Sequence, residues 1–316
     1  MKKYVLEIEN ISKIYIYTNI EKIASKLLNI ENVAKTIPCD VKYLKDTNII
    51  NEERNYIYIV DHNDNFININ KEKNTALILT PKDKFFFPDL IYLAIGMFAN
   101  DLQKQSLYFV QSSVVKYDDK HSIMLLGDPN SGKTSMAYSL MKEYGYSLVS
   151  NDNVLIDANM TICGTKNVQM RYGAIKLYFP EILPFVNRLP INLEKDEWDT
   201  KIFIDDYLKQ NGYKTSDNSI ITDIYNISTY ENGNTFIRER DKIDKVLMIY
   251  EHITKQIRSN RYLLVSMGYP IPSFENENYM LNRYDIAKRI ADTTNVYDAK
   301  GTIKSLTRKI GDKYRR

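Results

Sequence analysis

The sequence predicts an α/β fold, in which a mixed, twisted sheet surrounds a glycine-rich loop and a smaller α/β region comes first. Short runs rich in β-branched residues alternate with runs at helical spacing along the 316 residues. The glycine-rich loop follows an apolar run directly and opens an amphipathic one, as at a strand-to-helix turn. No Gly/Ser linker or internal repeat divides the chain. We therefore expect an N-terminal α/β region at 1–105 and a second domain at 106–316.

The N-terminal region is predicted from short periodic runs. Tyr4–Ile8 alternates and indicates a strand, whereas Ile20–Ile30 places its apolar residues on one helical face. Pro88–Gln105 is predicted to be a helix, because proline suits the first turn and the apolar residues that follow keep helical spacing. The other predicted strands are short, β-branched and bounded by polar residues: Tyr56–Val60, Phe66–Ile69 and Ala76–Leu79.

The second domain is predicted in the same way. A helix from Lys133 to about Tyr144 follows the glycine-rich loop, and a closing helix is expected at Ile303–Ile310. Further helical spacing occurs at Ile243–Ile257 and Tyr279–Ile290. The predicted strands are Leu107–Lys116, Ile123–Leu126, Ser147–Val149, Val154–Ile156, Asn167–Met170 and Val296–Tyr297.

Composition excludes several classes of protein. Lys and Arg number 43 against 40 Asp and Glu, and the resulting net charge of +3 argues against a protein that binds nucleic acid through a strongly basic surface. Cys39 and Cys163 lie far apart, which excludes a disulfide framework and a structural zinc site. The longest apolar stretch, near Leu90–Ala99, is about half of a membrane span, and no apolar signal follows the N-terminus. We expect a cytoplasmic protein with no membrane partner.

Gly127–Thr134 reads GDPNSGKT and matches the P-loop pattern GxxxxGK[ST] in full. Glycines let successive N–H groups point inward as an anion cradle, and the following helix adds its positive end. The lysine would neutralise outer phosphates and the threonine hydroxyl would bind Mg²⁺. We therefore expect ATP or another NTP, with Mg²⁺, at these residues: Gly127, Asp128, Asn130, Ser131, Gly132, Lys133, Thr134 and Ser135.

A second polar cluster, Ser150–Asn153, follows the predicted strand Ser147–Val149. A carboxylate at the end of a strand beside the P-loop is where NTPases place a second contact to magnesium. Asp152 is therefore the second predicted metal ligand, with Thr134. The alternative is an ordinary Asx turn, for which Asn and Asp are favoured.

The stretch GDPNSGKTSMAYSLMKEYGYSLVSNDNVLI resembles the HPr kinase/phosphorylase family, which shares a fold with phosphoenolpyruvate carboxykinase. The specific part is the short spacing from the P-loop to the acidic pair ending at Asp152. Val168–Gly173 is similar to the family's glutamate–arginine–glycine signature, with Arg171 as its arginine. Within that family, the chain resembles the HPr-kinase-like proteins encoded beside peptide natural-product genes, several of which phosphorylate serines of precursor peptides.

This resemblance implies an ATP- and Mg²⁺-dependent phosphotransferase with Lys133, Asp152 and Arg171 as catalytic residues. The chain departs from the family at three places. The family's histidine before the P-loop falls at Ser112 or Gln111, the first acid of the pair is Asn151, and the signature glutamate is Gln169. The carboxylate of the usual general base is therefore missing.

Three functions follow from these residues. The leading prediction is a kinase that phosphorylates a peptide or protein hydroxyl, with Asp152 as a replacement base. A carboxylate acceptor would need no base, which leaves ATP-dependent activation of a carboxylate as an alternative. The other alternative is a nucleotide-binding regulatory module with weak or no catalysis. The expected partners are a nucleotide and a peptide or protein substrate, and a homo-oligomer is left open.

Overall fold

The computed structural model describes residues 1–44, 54–190, 196–258 and 263–315, which form a mixed α/β structure with mixed sheets. In chain order, the first elements are β1 (Lys2–Ile8), β2 (Ser12–Thr18), α1 (Glu21–Leu28), α2 (Glu31–Ala34), β3 (Asp40–Leu44), β4 (Tyr56–Asp61), β5 (Phe66–Asn70), β6 (Thr75–Thr80), α3 (Phe87–Leu102), a 3-10 turn (Gln103–Gln105), β7 (Tyr108–Gln111), β8 (Ser113–Lys116), β9 (His121–Leu126) and α4 (Lys133–Tyr144).

The remaining elements are β10 (Ser147–Ser150), β11 (Asn153–Asp157), β12 (Met160–Gly164), β13 (Gln169–Arg171), α5 (Tyr172–Tyr178), a 3-10 turn (Pro180–Ile182), α6 (Leu183–Val186), β14 (Lys201–Phe203), α7 (Asp205–Gln210), β15 (Ile220–Thr229), β16 (Phe236–Glu239), α8 (Lys242–Arg258), β17 (Leu263–Leu264), β18 (Tyr269–Pro270), α9 (Glu277–Thr293), β19 (Asn295–Gly301) and α10 (Ile303–Tyr314). No helix in the described ranges combines the length and the apolar character that crossing a membrane requires.

The chain separates into two compact units, each built from distant segments. The first unit contains Met1–Val110, Leu155–Ala158 and Val246–Ile290. The second contains Gln111–Val154, Asn159–Lys245 and Ala291–Arg316. The predicted domains at 1–105 and 106–316 stay a prediction, because compactness does not test independent folding.

A six-stranded sheet forms the centre of the first unit, with strand order β3-β1-β2-β4-β6-β5. β2, β4 and β6 run parallel, and the other pairs are antiparallel. Helix α3 packs against β2 and is apolar around most of its circumference. A helix with that pattern is stable only inside a core, which explains why Phe87–Leu102 is buried along nearly its whole length.

The late segment of the first unit is fixed to its early segment by polar contacts. The Ser266 N–H and hydroxyl donate to Asp89 Oδ2, at 2.9 and 2.6 Å. The Arg283 guanidinium, fully buried, donates to Gln103 Oε1 at 2.6 Å. The Gln103 amide in turn donates to the carbonyl of Phe274 at 3.3 Å. The segment that carries Ser266, Phe274 and Arg283 is therefore an integral part of this unit.

In the second unit, β15 lies between β9 and β19 and runs parallel to both. β8 is antiparallel to β9 and to β10, and β16 is antiparallel to β19. Helices α4 and α10 contact each other and share one core with alternate residues of these strands. Leu125, Tyr225 and Ala299 belong to this core. The parallel arrangement brings the carboxyl ends of β9, β15 and β19 to one edge of the sheet.

Most predicted elements are present with ends shifted by a few residues, and two differ more substantially. Leu107–Lys116 was predicted to be one strand, but it forms β7 and β8, separated at Ser112. The Ser112 N–H donates to the carbonyl of Asp152 at 2.8 Å, so the break between β7 and β8 fixes the turn that contains Asp152. The predicted helix Pro88–Gln105 ends at Leu102, and its last three residues form a 3-10 turn. Helix α4 has the predicted bounds, Lys133–Tyr144.

Candidate functional site

The P-loop motif, Gly127–Thr134, connects the end of β9 to the start of α4 in the second unit. β9 is an apolar, buried strand, and the chain turns sharply where it ends. Gly127 has a φ of 139°, and a Cβ there would lie 2.5 Å from Ser131 Oγ and 2.6 Å from the carbonyl oxygen of Ile227. Only glycine allows the loop to lie this close to β15.

Gly132 is the N-cap of α4 and is equally restricted. Its φ is 96°, and a Cβ would overlap the side chain of Thr229. The Thr229 N–H donates to the carbonyl of Ser131 at 3.0 Å, which attaches the loop to the end of β15. Among the described residues, no side chain caps α4. The first N–H groups of a helix have no partner within the helix, so they are free to bind an anion.

The loop passes a test for a phosphate ligand. Ser131 Oγ is buried and makes no hydrogen bond to any described residue. An unpaired buried hydroxyl costs about 1–3 kcal/mol, which a phosphate oxygen would offset by accepting its proton. The uncapped start of α4 supplies backbone donors next to it. These donors, together with the space that the two glycines leave, fit a phosphate chain.

Lys133 lies over the loop that precedes it. Its Nζ donates to the carbonyl oxygens of Gly127 and Asp128, at 2.9 and 2.8 Å. Burial lowers the pKa of Lys133, and the charges of Asp152 and Asp128 act against that change. The ammonium group is therefore kept at the mouth of the cradle by partners that an anionic ligand would replace.

Asp152 lies in the turn between β10 and β11. Its N–H donates to Thr165 Oγ1 at 3.0 Å. Its carboxylate accepts two long amide hydrogen bonds, from Gln111 at 3.4 Å and from Asn153 at 3.3 Å. Burial raises the pKa of Asp152, opposed by the Gln111 hydrogen bond and by the charges of Lys133 and Lys201. These weak contacts leave the carboxylate able to take a stronger partner.

Asn151, at the position of the missing acid, is a buried structural residue, 7% exposed. Its Nδ2 donates to the carbonyl of Asn167 at 3.1 Å, and its N–H donates to the carbonyl of Thr165 at 2.9 Å. The Ser113 hydroxyl donates to the Asn151 carbonyl at 2.8 Å. An ionised carboxylate has no proton to give to Asn167, so the amide is required by this arrangement.

Arg171 ends β13, and its side chain contacts the P-loop motif. Its Nε and Nη2 both donate to Asn130 Oδ1, at 3.0 and 2.7 Å, and its Nη1 is 3.5 Å from a carboxylate oxygen of Asp199. Asn130 has a φ of 68° and projects from the exposed part of the loop. A planar guanidinium with several donors therefore lies at the edge of the cradle.

Lys201 is a residue of this site that the sequence did not reveal, and further predicted residues lie on the same elements. Lys201 pairs with Arg171 across the β13–β14 ladder, and its charge acts on Asp152. It stands in no motif, so only the strand pairing identifies it. Gln169, at the other end of β13, pairs with Phe203 through the backbone. Thr134 and Ser135 lie in the first turn of α4.

A metal ion at this site would depend on the nucleotide. Within the described residues, no group of three or more His, Cys, Asp or Glu side chains is placed to hold a metal. Mg²⁺ commonly takes one or two protein ligands and completes its shell with water and substrate phosphates. The hydroxyl of Thr134 and the carboxylate of Asp152 are oxygen ligands of the required kind.

Comparisons with known proteins show a likeness in structure only. No family model matches the chain, and no curated protein matches it. Among solved structures, the chain is similar to the HPr(Ser) kinase/phosphatase from Coxiella burnetii, at 11% sequence identity and a TM-score of 0.30. The likeness covers 65% of this chain and 91% of that one. At this level it carries no information on activity, ligands or partners.

Proposed function

We propose that this chain is an HPr-kinase-like phosphotransferase that uses ATP, or another NTP, and Mg²⁺ to phosphorylate a peptide or protein hydroxyl. The observation that carries the proposal is the contact of Arg171 with Asn130 of the P-loop motif, at 2.7 Å. It joins a guanidinium from β13 to the loop that also carries Lys133. Converging cations at a phosphate cradle support phosphoryl transfer, because that reaction depends mainly on positioning and on charge neutralisation.

Each residue then has a defined task. The N–H groups at the start of α4 and the Ser131 hydroxyl bind the phosphate chain. Lys133 exchanges the carbonyls of Gly127 and Asp128 for outer phosphate oxygens. Arg171 leaves Asn130 and stabilises the charge of the transferred group. Thr134 and Asp152 would hold Mg²⁺, which supplies charge neutralisation when bound.

The acceptor proton is assigned to Asp152. The Asn151 amide cannot take a proton at neutral pH and is already bonded to Asn167. Where Mg²⁺ is held by Thr134 and the phosphates alone, the Asp152 carboxylate, whose pKa is raised by burial, would be a better proton acceptor than an exposed aspartate. General-base help contributes about 10²–10⁴-fold, which is less than positioning and charge neutralisation contribute, so the loss of the first acid does not by itself abolish transfer. The proposed acceptor is a serine or threonine hydroxyl, with a precursor peptide of a natural-product pathway as the first substrate class to test.

The lack of an acid at position 151 is also consistent with two other functions, activation of a carboxylate and nucleotide binding without catalysis. Without the first acid of the pair, a carboxylate acceptor needs no base and would give an acyl phosphate. A nucleotide-binding regulatory module would need no acceptor at all. Both remain compatible with the same cradle, so the experiment must separate them.

The test incubates purified protein with Mg-ATP and a panel of Ser- and Thr-containing peptides, followed by mass spectrometry. A peptide that gains one phosphoryl group supports the kinase. Trapping of an acyl group by hydroxylamine supports carboxylate activation instead, and nucleotide binding without turnover supports the regulatory module. Lys133→Ala should abolish binding or turnover, with the exposed Lys304→Ala on α10 as the matched control. Equal behaviour of the two variants would refute the P-loop assignment.

A further inference from the structure

Lys201 projects from the same face of the β13–β14 ladder as Arg171. The two residues are directly opposite each other in the antiparallel pairing. Side chains in such a pair project to the same side of the ladder, with Cβ atoms about 4.5–5.5 Å apart. The neighbouring pair, Met170 with Ile202, points into the hydrophobic core of the second unit. Arg171 and Lys201 therefore both leave the ladder on the side away from that core.

The backbone that precedes Lys201 is held to the start of α5. The Tyr172 N–H donates to the carbonyl of Thr200 at 2.9 Å, and the Gly173 N–H donates to the carbonyl of Glu197 at 3.0 Å. The strand pairing of β13 with β14 continues this attachment through Lys201 itself. The position from which the Lys201 side chain starts is therefore fixed relative to α5 and β13.

The ammonium group of Lys201 is not held in the same way. Lys201 is exposed, and its ammonium group makes no hydrogen bond or ion pair with any residue that the structure describes. The other two cations of the site each have partners. Lys133 donates to two carbonyl oxygens of the P-loop motif, and Arg171 donates to Asn130. Lys201 can therefore bind an anion without giving up a contact to the described part of the chain.

The charge of Lys201 reaches the carboxylate of the candidate site. Burial raises the pKa of Asp152, and the positive charges of Lys133 and Lys201 both act against that change. Lys133 belongs to the cradle for phosphates, whereas Lys201 comes from β14. A phosphoryl group that is bound by Lys133 and lies beside Asp152 would therefore be within reach of the long Lys201 side chain.

We propose that Lys201 binds the transferred γ-phosphoryl group of the nucleotide, as a third cation beside Lys133 and Arg171. This inference rests on the proposed phosphotransferase function. In that reaction the acceptor oxygen bonds to the γ-phosphorus, and the bond from the γ-phosphorus to the bridging oxygen of the β-phosphate breaks. The leaving ADP keeps the electron pair, and the hydroxyl proton goes to Asp152. A compact ammonium group close to the transferred oxygens stabilises the charge that spreads over them.

The test compares two nucleotide affinities in the presence of Mg²⁺, so it requires neither turnover nor a known acceptor. The full chain is titrated calorimetrically with β,γ-imido-ATP, which carries a γ-phosphate, and with ADP, which lacks one. Lys201→Met keeps the aliphatic stem and removes the charge. It should weaken binding of β,γ-imido-ATP at least about 5-fold and change the affinity for ADP by less than about 2-fold, because only the γ-phosphate loses a charged contact. Lys304→Met, exposed on α10, should change neither affinity.

The charge-conserving variant Lys201→Arg should keep most of the preference for β,γ-imido-ATP over ADP. If Lys201→Met binds both nucleotides like the unaltered chain, the assignment of Lys201 is overturned, and a weaker affinity for the acceptor alone would place its contact on the acceptor instead. Equal weakening for both nucleotides would also overturn it, because the change would then act on the whole cradle. If the unaltered chain binds neither nucleotide, the proposed function itself is refuted.

Discussion

Replacing Asn151 by aspartate restores the acidic pair of the resembled family, and its outcome depends on the hydrogen bond to Asn167. In the structure, Asn151 Nδ2 donates to that carbonyl at 3.1 Å from a site that is 7% exposed. Asn151→Asp removes the donor and places a carboxylate oxygen against a carbonyl oxygen. Leaving a buried acceptor unpaired costs about 1–3 kcal/mol. We expect the melting temperature to fall by roughly 2–10 °C.

The pH dependence gives the sign of the effect. Burial raises the pKa of a carboxyl group, because it disfavours the ionised form. In the variant, a protonated carboxyl group at this position could still donate to the carbonyl of Asn167, whereas an ionised one could not. The stability lost by Asn151→Asp should therefore be smallest at and below the ordinary aspartate pKa of about 3.9, and should increase as the pH rises above it.

Thermal unfolding of three proteins, measured at pH 5 and pH 8, decides the question. Asn151→Ala removes the same donor without adding charge, so its loss of stability should change little with pH. The phosphotransfer assay is run on the same samples, and we expect Asn151→Asp to bring no gain. If that variant melts like the unaltered chain at pH 8 and transfers phosphoryl groups faster, Asn151 is a replaceable base position and the structural role assigned to its amide is wrong.

Asp152→Asn should lower turnover at least about 10²-fold and raise the melting temperature at neutral pH, because burial raises the pKa of Asp152 and its charge therefore destabilises the folded chain. The gain in melting temperature should vanish as the pH falls to the ordinary aspartate pKa. The substitution Asp157→Asn, at an exposed position, is the control. Unchanged turnover would remove Asp152 from the mechanism. Arg171→Lys should cut turnover strongly and leave nucleotide affinity and melting temperature near their original values, since the planar guanidinium contributes mainly in the transition state. Arg188→Lys, at an exposed position, should change none of these. If Arg171→Lys lowers nucleotide affinity as much as turnover, this role is contradicted. Gly132→Ala should lower the free energy of unfolding in urea by more than Gly212→Ala does. At both positions φ is positive, which costs an alanine about 1–2 kcal/mol, but of the two only Gly132 would place a Cβ against another side chain. Equal losses in the two variants would disprove the close approach at Gly132.

The sequence predicted the elements around the P-loop motif because their signals are local. The apolar run at Ile123–Leu126 and the helical spacing that starts at Lys133 lie beside the glycines that break both patterns. β15 was not predicted, although it is ten residues long and central to the second unit. Asp223 and Asn226 interrupt its apolar pattern, and their partners, Lys313 and Asp298, lie far along the chain. Long-range polar pairs leave no local signal.

The candidate site divides in the same way. The loop residues and Arg171 could be named because they stand in motifs, although the contact of Arg171 with Asn130 required the structure. Lys201 could not be named, because its relation to Asp152 arises from strand pairing. The role of Asn151 was equally hidden. Its partner is a backbone carbonyl, which any residue at 167 would supply.

The division of the first unit among separate segments has a consequence for synthesis on the ribosome. Asp89 and Gln103 emerge early, but their partners Ser266, Phe274 and Arg283 follow much later. At about 5–20 residues per second, the delay is on the order of ten seconds. During that time the buried apolar surface of α3 lacks part of its cover, while most of the second unit is already being made. The nascent chain therefore offers chaperones a binding surface that the finished protein no longer exposes.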